Sequence, residues 1–222
     1  MYQDDEGRAL RAVGLLMEAI YKIGSTIYSR APDRLFTHQF GDGFVVVSDF
    51  SESSAERPVA VAISLMRHLI ANNVACKAAV SCGGFSDVAA CYPQSVRDQS
   101  IDGCWVPLGE GLMTIIPVMG TALVASHKLA GRRPGAVLIL DETCFQSVPE
   151  GIIIRTTGPL TADWVHSNLE LAHAISTAAG LVPLGSLEAE RFLRAYLNAN
   201  EGAIKDEWVA STSECNGLIT AT

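Results

Sequence analysis

The chain has 222 residues, 49% of them hydrophobic and 18% charged, which is enough apolar material for a substantial core. A formal net charge of −8 argues against the basic face of a duplex nucleic-acid-binding protein, but it leaves a metal-neutralised nucleotide substrate open. No uncharged apolar run reaches the ~18 residues of a membrane span, and the opening MYQDDEGRAL is not a secretory signal. The sequence predicts a cytoplasmic protein that binds neither nucleic acid nor membrane.

The cysteines are expected to be reduced. None belongs to a C-x-x-C pair, and none lies at zinc-ligand spacing from a histidine. Several fall inside apolar runs, where free cysteine behaves as a small hydrophobic residue. The six are Cys76, Cys82, Cys91, Cys104, Cys144 and Cys215.

The first half of the chain predicts a helix, a hairpin and a second helix. Apolar residues spaced by three and four indicate a helix over 10–27, with Asp4 and Asp5 as its cap. FTHQFGDGFVVVSDF, residues 36–50, predicts a hairpin. Its returning strand FVVVS is apolar on both faces, which is typical of a strand in the interior of a sheet. A second helix is expected over 55–71.

The second half alternates strands and helices. A strand is expected in CKAAVSCGG, and the long irregular stretch 85–111 has the character of a functional loop. The further elements expected are a helix over 120–129, strands over 136–141 and 151–158, a helix over 163–179, and a final helix over 187–200 before a polar tail. The order predicts an α+β fold, with one mostly antiparallel sheet covered by helices.

Asp42 lies between Gly41 and Gly43 at the centre of the predicted hairpin and has two interpretations. An Asp-Gly pair between strands is a common type I′ turn, in which both central residues need positive φ. The other interpretation is that the hairpin tip holds a carboxylate over a reaction centre, with the glycines allowing phosphate close to the backbone.

Three stretches in this order resemble the class III nucleotidyl cyclases: FGDGFVVVSD, CKAAVSCGGF and GTALVASHKL. Together with GGFSDVAACYP, they are most similar to the stand-alone bacterial pyrimidine cyclases of Pycsar antiphage systems. The resemblance implies a ferredoxin-like core in which the 3′-hydroxyl of a nucleoside triphosphate attacks its own α-phosphate and expels pyrophosphate. It also implies Asp42 as a ligand of Mn²⁺ or Mg²⁺, ions that prefer hard oxygen donors.

The resemblance further implies a homodimer whose active sites form between two chains, one offering Asp42 and the other Lys128. Lys128 would supply charge to the phosphorane; the alternative is a solvated helix lysine. Val124 replaces a hydrogen-bonding asparagine of the purine enzymes. His38 stands where those enzymes place a base-reading lysine, which permits a pyrimidine; the alternative is a partly buried strand histidine.

The family's other metal-binding aspartate lies on a strand before the first helix, and this sequence has no counterpart of it, so we expect the functional polypeptide to begin earlier. The expected organisation is a catalytic domain over 1–185 and a C-terminal helical extension over 186–222. Arg97 and Lys77 are further candidates for phosphate binding, although arginine is also common in surface loops.

Two classes of function follow. The first is an enzyme that converts UTP or CTP to a 3′,5′-cyclic nucleotide, a second messenger in antiphage defence read by a separate effector protein. The second is a cyclase-homology module that binds a nucleotide or a partner without turnover, which Val124 and the missing aspartate favour. A third hypothesis is an unrelated ferredoxin-like regulatory domain in which Asp42 only forms a turn.

Overall fold

The structure is a computed structural model that describes residues 6–30, 33–48, 54–144, 148–155 and 158–218. Its helices are α1 (Glu6–Thr26), α2 (Glu56–Ala71), α3 (Gln94–Arg97), α4 (Thr121–Ala130), α5 (Glu170–Ala178), α6 (Ser186–Ala199) and α7 (Asp206–Cys215). Its strands are β1 (Leu35–Phe40), β2 (Gly43–Ser48), β3 (Ala78–Val80), β4 (Ser86–Asp87), β5 (Trp105–Leu108), β6 (Gly111–Thr114), β7 (Val118–Met119), β8 (Leu138–Leu140), β9 (Ile154–Arg155) and β10 (Thr161–Ala162). Asp4 and Asp5, proposed above as a helix cap, lie outside the described residues.

The α+β class is confirmed, but the strands do not form one sheet. Within the described residues they form a four-stranded sheet of order β3-β8-β10-β9 and three separate two-stranded pairs, β1-β2, β4-β7 and β5-β6. All pairs are antiparallel except β3 with β8. That parallel pair is joined through α4, as a parallel connection requires a crossover.

The helices predicted from apolar spacing are confirmed in α1, α2, α4 and α6. α2 is the central helix, because 11 of its 16 residues are buried against α1, α5, α6 and the four-stranded sheet. Pro58 lies in its first turn, where a missing N–H breaks no intrahelical hydrogen bond.

Arg67 on α2 is buried and joins the helix to the chain after β10. Its guanidinium donates to the carbonyl oxygens of Trp164, Val165, Ser167 and Leu184 at 2.6 to 3.1 Å. Burial lowers the pKa of Arg67, and the charge of Asp163 opposes that shift. The hydrogen bonds to four carbonyls are what makes a buried arginine acceptable here.

Three predictions in the second half are corrected. The stretch 85–111 is not irregular, because it contains β4, α3, β5 and the start of β6. The helix expected over 163–179 begins only at Glu170, and Thr161–Ala162 just before that range form the buried central strand β10. The tail holds a further helix, α7.

α7 escaped prediction because its buried side chains are largely polar. The hydroxyl of Thr212 accepts from Ala136 N–H at 2.9 Å, and the amide of Asn216 donates to Ala136 O at 3.0 Å. Leu193 and Tyr196 of α6 belong to the same buried cluster as α2. The C-terminal helices therefore pack on the core that the rest of the chain builds.

None of the helices in the described ranges has the length and apolar character to span a membrane.

Candidate functional site

The hairpin tip has a different turn from the expected one. Phe40 pairs with Gly43, so the two central residues are Gly41 and Asp42 rather than Asp42 and Gly43. Gly41 has φ of +61°, whereas Asp42 is not among the residues with positive φ. This is the pattern of a type II′ turn, which requires glycine at the first central position and leaves the second open. The turn itself does not demand an aspartate.

The Asp42 side chain is exposed at this tip. Across the described part of the chain, no hydrogen bond or ion pair engages its carboxylate; the neighbouring Gln39 amide donates instead to Gly41 O at 2.9 Å. The carboxylate oxygens are therefore available to a ligand from outside.

A large groove of about 2,500 Å³ opens beside the hairpin. His38, Asp42 and Gly43 line it from the hairpin, and Lys128 lines it from α4. Further walls come from α1, α2, β3 and the loop that follows β3, with single residues from elements such as β7 and α7. Thus four of the six residues proposed for the site border one groove of a single chain, and Gly41 adjoins them in the turn.

His38 joins the hairpin to the loop after β3. Its ring centroid lies 5.7 Å from that of Phe85, with the planes tilted by 37°. The side chain of His38 is half-buried. It both packs against Phe85 and lines the groove.

Close backbone contacts fix α4 against the loop after β3. A Cβ placed on Gly120 would lie 2.1 Å from Gly84 O, so only glycine fits there. Thr121 Oγ1 accepts from Gly84 N–H at 2.9 Å, and Ala122 N–H donates to Gly84 O at 3.2 Å. These contacts hold α4, and with it Lys128, beside β3.

The two lysines that line the groove differ in whether their ammonium groups already form hydrogen bonds. Lys128 is exposed, and no described group forms a hydrogen bond or ion pair with its ammonium. Lys77 Nζ donates to Ala130 O at 3.0 Å and also to Arg133 O, so it caps the carboxyl end of α4. Burial lowers the pKa of Lys77. Lys77 therefore has a structural role, and of these two lysines it is Lys128 whose ammonium remains available to an anionic ligand.

Arg97 is not brought to this groove. Its guanidinium donates to Gln94 Oε1 at 2.6 Å, and it lines a second cavity of about 320 Å³ together with Tyr92 and Ser100. Within one chain it is therefore separate from the residues around Asp42.

Sequence reasoning missed Asp87, a second carboxylate that lines the groove. Asp87 Oδ1 accepts from Ala89 N–H at 2.7 Å, so one of its oxygens is already engaged. The signal was present in the stretch GGFSDVAACYP, which carries this aspartate. Among the described residues, no group of three or more His, Cys, Asp or Glu side chains converges in a way that could hold a metal ion.

The expectation that all cysteines are reduced is wrong for one pair. Cys82 after β3 and Cys144 after β8 form a disulfide, with their Cα atoms 5.6 Å apart. Both line the groove. They are 62 residues apart in sequence, and only the parallel pairing of β3 with β8 brings them together.

Comparisons with known proteins identify no relative of this chain. No protein-family model matches the chain, and neither a search of curated proteins nor a search of solved structures finds a match.

Proposed function

We propose that the chain is the catalytic domain of a metal-dependent nucleotidyl cyclase of class III type, with a ferredoxin-like core. Its reaction would convert UTP or CTP to the 3′,5′-cyclic nucleotide and pyrophosphate. The observation that carries the proposal is the Asp42 carboxylate, which the turn does not require and no described residue engages. It borders a groove shared with Lys128 and His38.

The residue types suit phosphate chemistry. A carboxylate at a rigid hairpin tip offers the hard oxygen donors that Mg²⁺ and Mn²⁺ prefer. A divalent ion held there would neutralise the triphosphate and make its α-phosphate more electrophilic. Lys128 would stabilise the charge that develops on the phosphorane as a point charge. His38 would contact the base. Asp42 alone is an incomplete set of ligands for two metal ions.

The competing function is a non-catalytic module that binds a nucleotide or a partner. Two observations favour it: the described residues bring only one unengaged carboxylate to the hairpin tip, and Val124 is 52% exposed where a hydrogen-bonding side chain would serve catalysis. Such a module would bind a triphosphate with Mn²⁺ and release it unchanged.

The decisive experiment incubates the purified protein with each of the four ribonucleoside triphosphates and Mn²⁺ and identifies the products by mass spectrometry. We expect a cyclic pyrimidine nucleotide from UTP or CTP. Asp42→Asn should lower the rate about 100-fold or more, because a metal ligand is lost while the turn is kept. Asp206→Asn, at an exposed position on α7, is the matched control and should keep full activity.

Triphosphate binding without any cyclic product would support the non-catalytic module instead. If neither binding nor turnover depends on Asp42, both functions fail at this site.

As a cyclase the protein would act in the cytoplasm, where glutathione and thioredoxin would act on the Cys82–Cys144 disulfide. The product would be a messenger for a separate effector protein.

A further inference from the structure

α1 carries a second apolar face besides the one that it buries. One side of the helix packs in the core through residues such as Ile20 and Ile23. Leu10, Met17 and Tyr21 are 66%, 45% and 71% exposed, although their side chains are large and mostly apolar. A single exposed apolar residue needs no explanation, but three that recur at helical spacing form a continuous surface.

These residues lie on one line along the helix. Gly14 lies between Leu10 and Met17, and Gly24 follows Tyr21, so that spacings of four, three, four and three residues connect the set. This is the spacing of the contact positions in a two-helix coiled coil. We name the set the α1 stripe: Leu10, Gly14, Met17, Tyr21 and Gly24.

The α1 stripe does not face the groove. The α1 residues that line the groove are Ala9, Ala12, Val13, Leu16 and Ile20. At 3.6 residues per turn, these residues are centred roughly 100° around the helix from the stripe. A strand that entered the groove, such as the one expected before α1, would pack on that other side and would leave the stripe exposed.

The stripe is complementary in shape to an antiparallel copy of itself. In a parallel pair each residue would face its own counterpart, which would leave a hole where Gly14 faces Gly14. In an antiparallel pair centred between residues 15 and 16, Met17 of each copy faces Gly14 of the other, and Leu10 faces Tyr21. A Cβ placed on Gly14 would meet none of the described atoms of its own chain within 4 Å, so the space above Gly14 is empty.

The charges beside the stripe match in the same antiparallel arrangement. Arg11 and Glu18 are exposed, and each directly follows a stripe residue. With Met17 above Gly14, Arg11 of each copy lies beside Glu18 of the other, and the two-fold symmetry repeats this pair. No described group forms a hydrogen bond or ion pair with Arg11. Glu18 Oε1 is paired with Lys22 Nζ at 2.7 Å, which leaves its second oxygen to accept from an arginine.

We infer that the α1 stripe is a self-association surface, through which two copies of this chain form an antiparallel helix pair about a two-fold axis. Met17 fills the space above Gly14 of the partner subunit at the centre, and Leu10 packs on Tyr21 of the partner subunit on either side. The contact spans about three turns, ~17 Å of helix, so the dimer is weak, with a dissociation constant above about 1 µM. None of the stripe residues belongs to the described lining of the groove, so the inference does not rest on the proposed function.

The test is sedimentation velocity of the full chain between about 1 and 500 µM, in which we expect the mass to rise with concentration. Gly14→Gln should weaken association about tenfold or more, because its side chain occupies the space that Met17 needs. This variant should fold at least as well as the wild type, since glutamine favours a helix over glycine. Thr26→Gln, at the exposed end of α1 and away from the stripe, is the control and should associate like the wild type.

Charge reversal tests the direction of the helix pair. Arg11→Glu and Glu18→Arg should each weaken self-association about 3- to 10-fold at low salt, because each places like charges side by side at both ends. An equal mixture of the two variants should associate again, since the mixed pair has opposite charges at both ends.

Two results would overturn the proposal. A mixture that associates no better than the single variants would exclude the antiparallel arrangement. The surface itself would be excluded if Gly14→Gln and both charge reversals left association unchanged, or if the wild type showed none up to about 500 µM.

Discussion

The rings of His38 and Phe85 meet at a centroid distance of 5.7 Å and so connect β1 with the loop that follows β3. Both residues line the groove. This contact therefore links the hairpin to the loop that leaves β3 of the four-stranded sheet.

The ring contact can be measured by a double-mutant cycle. His38→Ala and Phe85→Ala should each lower the free energy of unfolding, with a coupling of about 0.5–1.5 kcal/mol measured by urea denaturation. Thr37→Ala, on the exposed face of β1, is the control and should show no coupling to Phe85. If the two losses simply add, the rings do not interact. Under the proposed function, His38→Ala should raise KM for the pyrimidine triphosphate more than it lowers kcat.

The two glycines of the hairpin tip should respond differently to alanine. Gly41→Ala should lower the free energy of unfolding by about 1–2 kcal/mol, because φ of +61° is strained for a residue with a Cβ although the space is empty. Gly43→Ala should be close to neutral, because its Cβ would meet only Phe40 O at an ordinary 3.6 Å. Thermal denaturation of the two variants compares them directly. Equal losses would contradict the type II′ assignment.

The hairpin also shows how far sequence reasoning carries. The pattern FTHQFGDGFVVVS predicted both strands, but the turn was shifted by one residue, because G-D and D-G are both turn signals and only the strand register separates them. β10 was missed because a two-residue strand is too short to show a period. Its place at the centre of the sheet comes from tertiary contacts with β8 and β9.

The sequence predicted only part of the candidate site, because local patterns do not show tertiary contacts. Asp42 and Lys128 were chosen by their motifs, and the structure brings both to one groove. Asp87 and the Cys82–Cys144 pair depend on how the loop after β3 folds back and on the pairing of β3 with β8. Such contacts between distant residues leave no local signal in the sequence.

Mixing two inactive variants tests whether the active site is shared between chains. If one chain supplies Asp42 and its partner Lys128, an equal mixture of Asp42→Asn and Lys128→Ala should regain about a quarter of the wild-type activity. Half of the dimers are then mixed, and each mixed dimer has one intact site. Each variant alone is the control. No recovery after subunit exchange would show that Asp42 and Lys128 act within the groove of a single chain.

His68 should make stability depend on pH. Burial lowers the pKa of His68, the Lys22 charge lowers it further, and Glu18 opposes both. Its Nδ1 accepts from Val182 N–H at 3.1 Å, which requires that nitrogen to be unprotonated. The pKa of His68 in the folded protein is below the unfolded value of ~6.5. The contribution of His68 to the free energy of unfolding is therefore complete above that pH and is lost as the pH falls below it.

The measurement is the free energy of unfolding between pH 7.5 and 5 for three proteins, at about half-unit steps. His68→Gln should flatten the decline below pH ~6.5 relative to the wild type. His173→Gln, at an exposed position on α5, should leave the slope unchanged. If the wild type and His68→Gln decline in parallel, His68 does not titrate differently in the folded state.

The Cys82–Cys144 disulfide should contribute strongly to stability. It closes a loop of 62 residues, and removing it should lower the free energy of unfolding by about 4 kcal/mol on the chain-entropy account. Cys82→Ser and reduction of the wild type with dithiothreitol should give similar losses in thermal denaturation. Cys91→Ser, at an exposed free cysteine, is the control and should change little.

Alkylation identifies which thiols are available and so tests the same pairing chemically. At pH 8 the exposed Cys91 and Cys104 should react with iodoacetamide. Cys76 is half-buried and should react more slowly than these two, because burial raises its pKa to about 12 and leaves little thiolate. Cys82 and Cys144 should be labelled only after reduction. Labelling of these two without a reductant would show that the pair is open, and the groove would then lose its covalent link between β3 and the chain after β8.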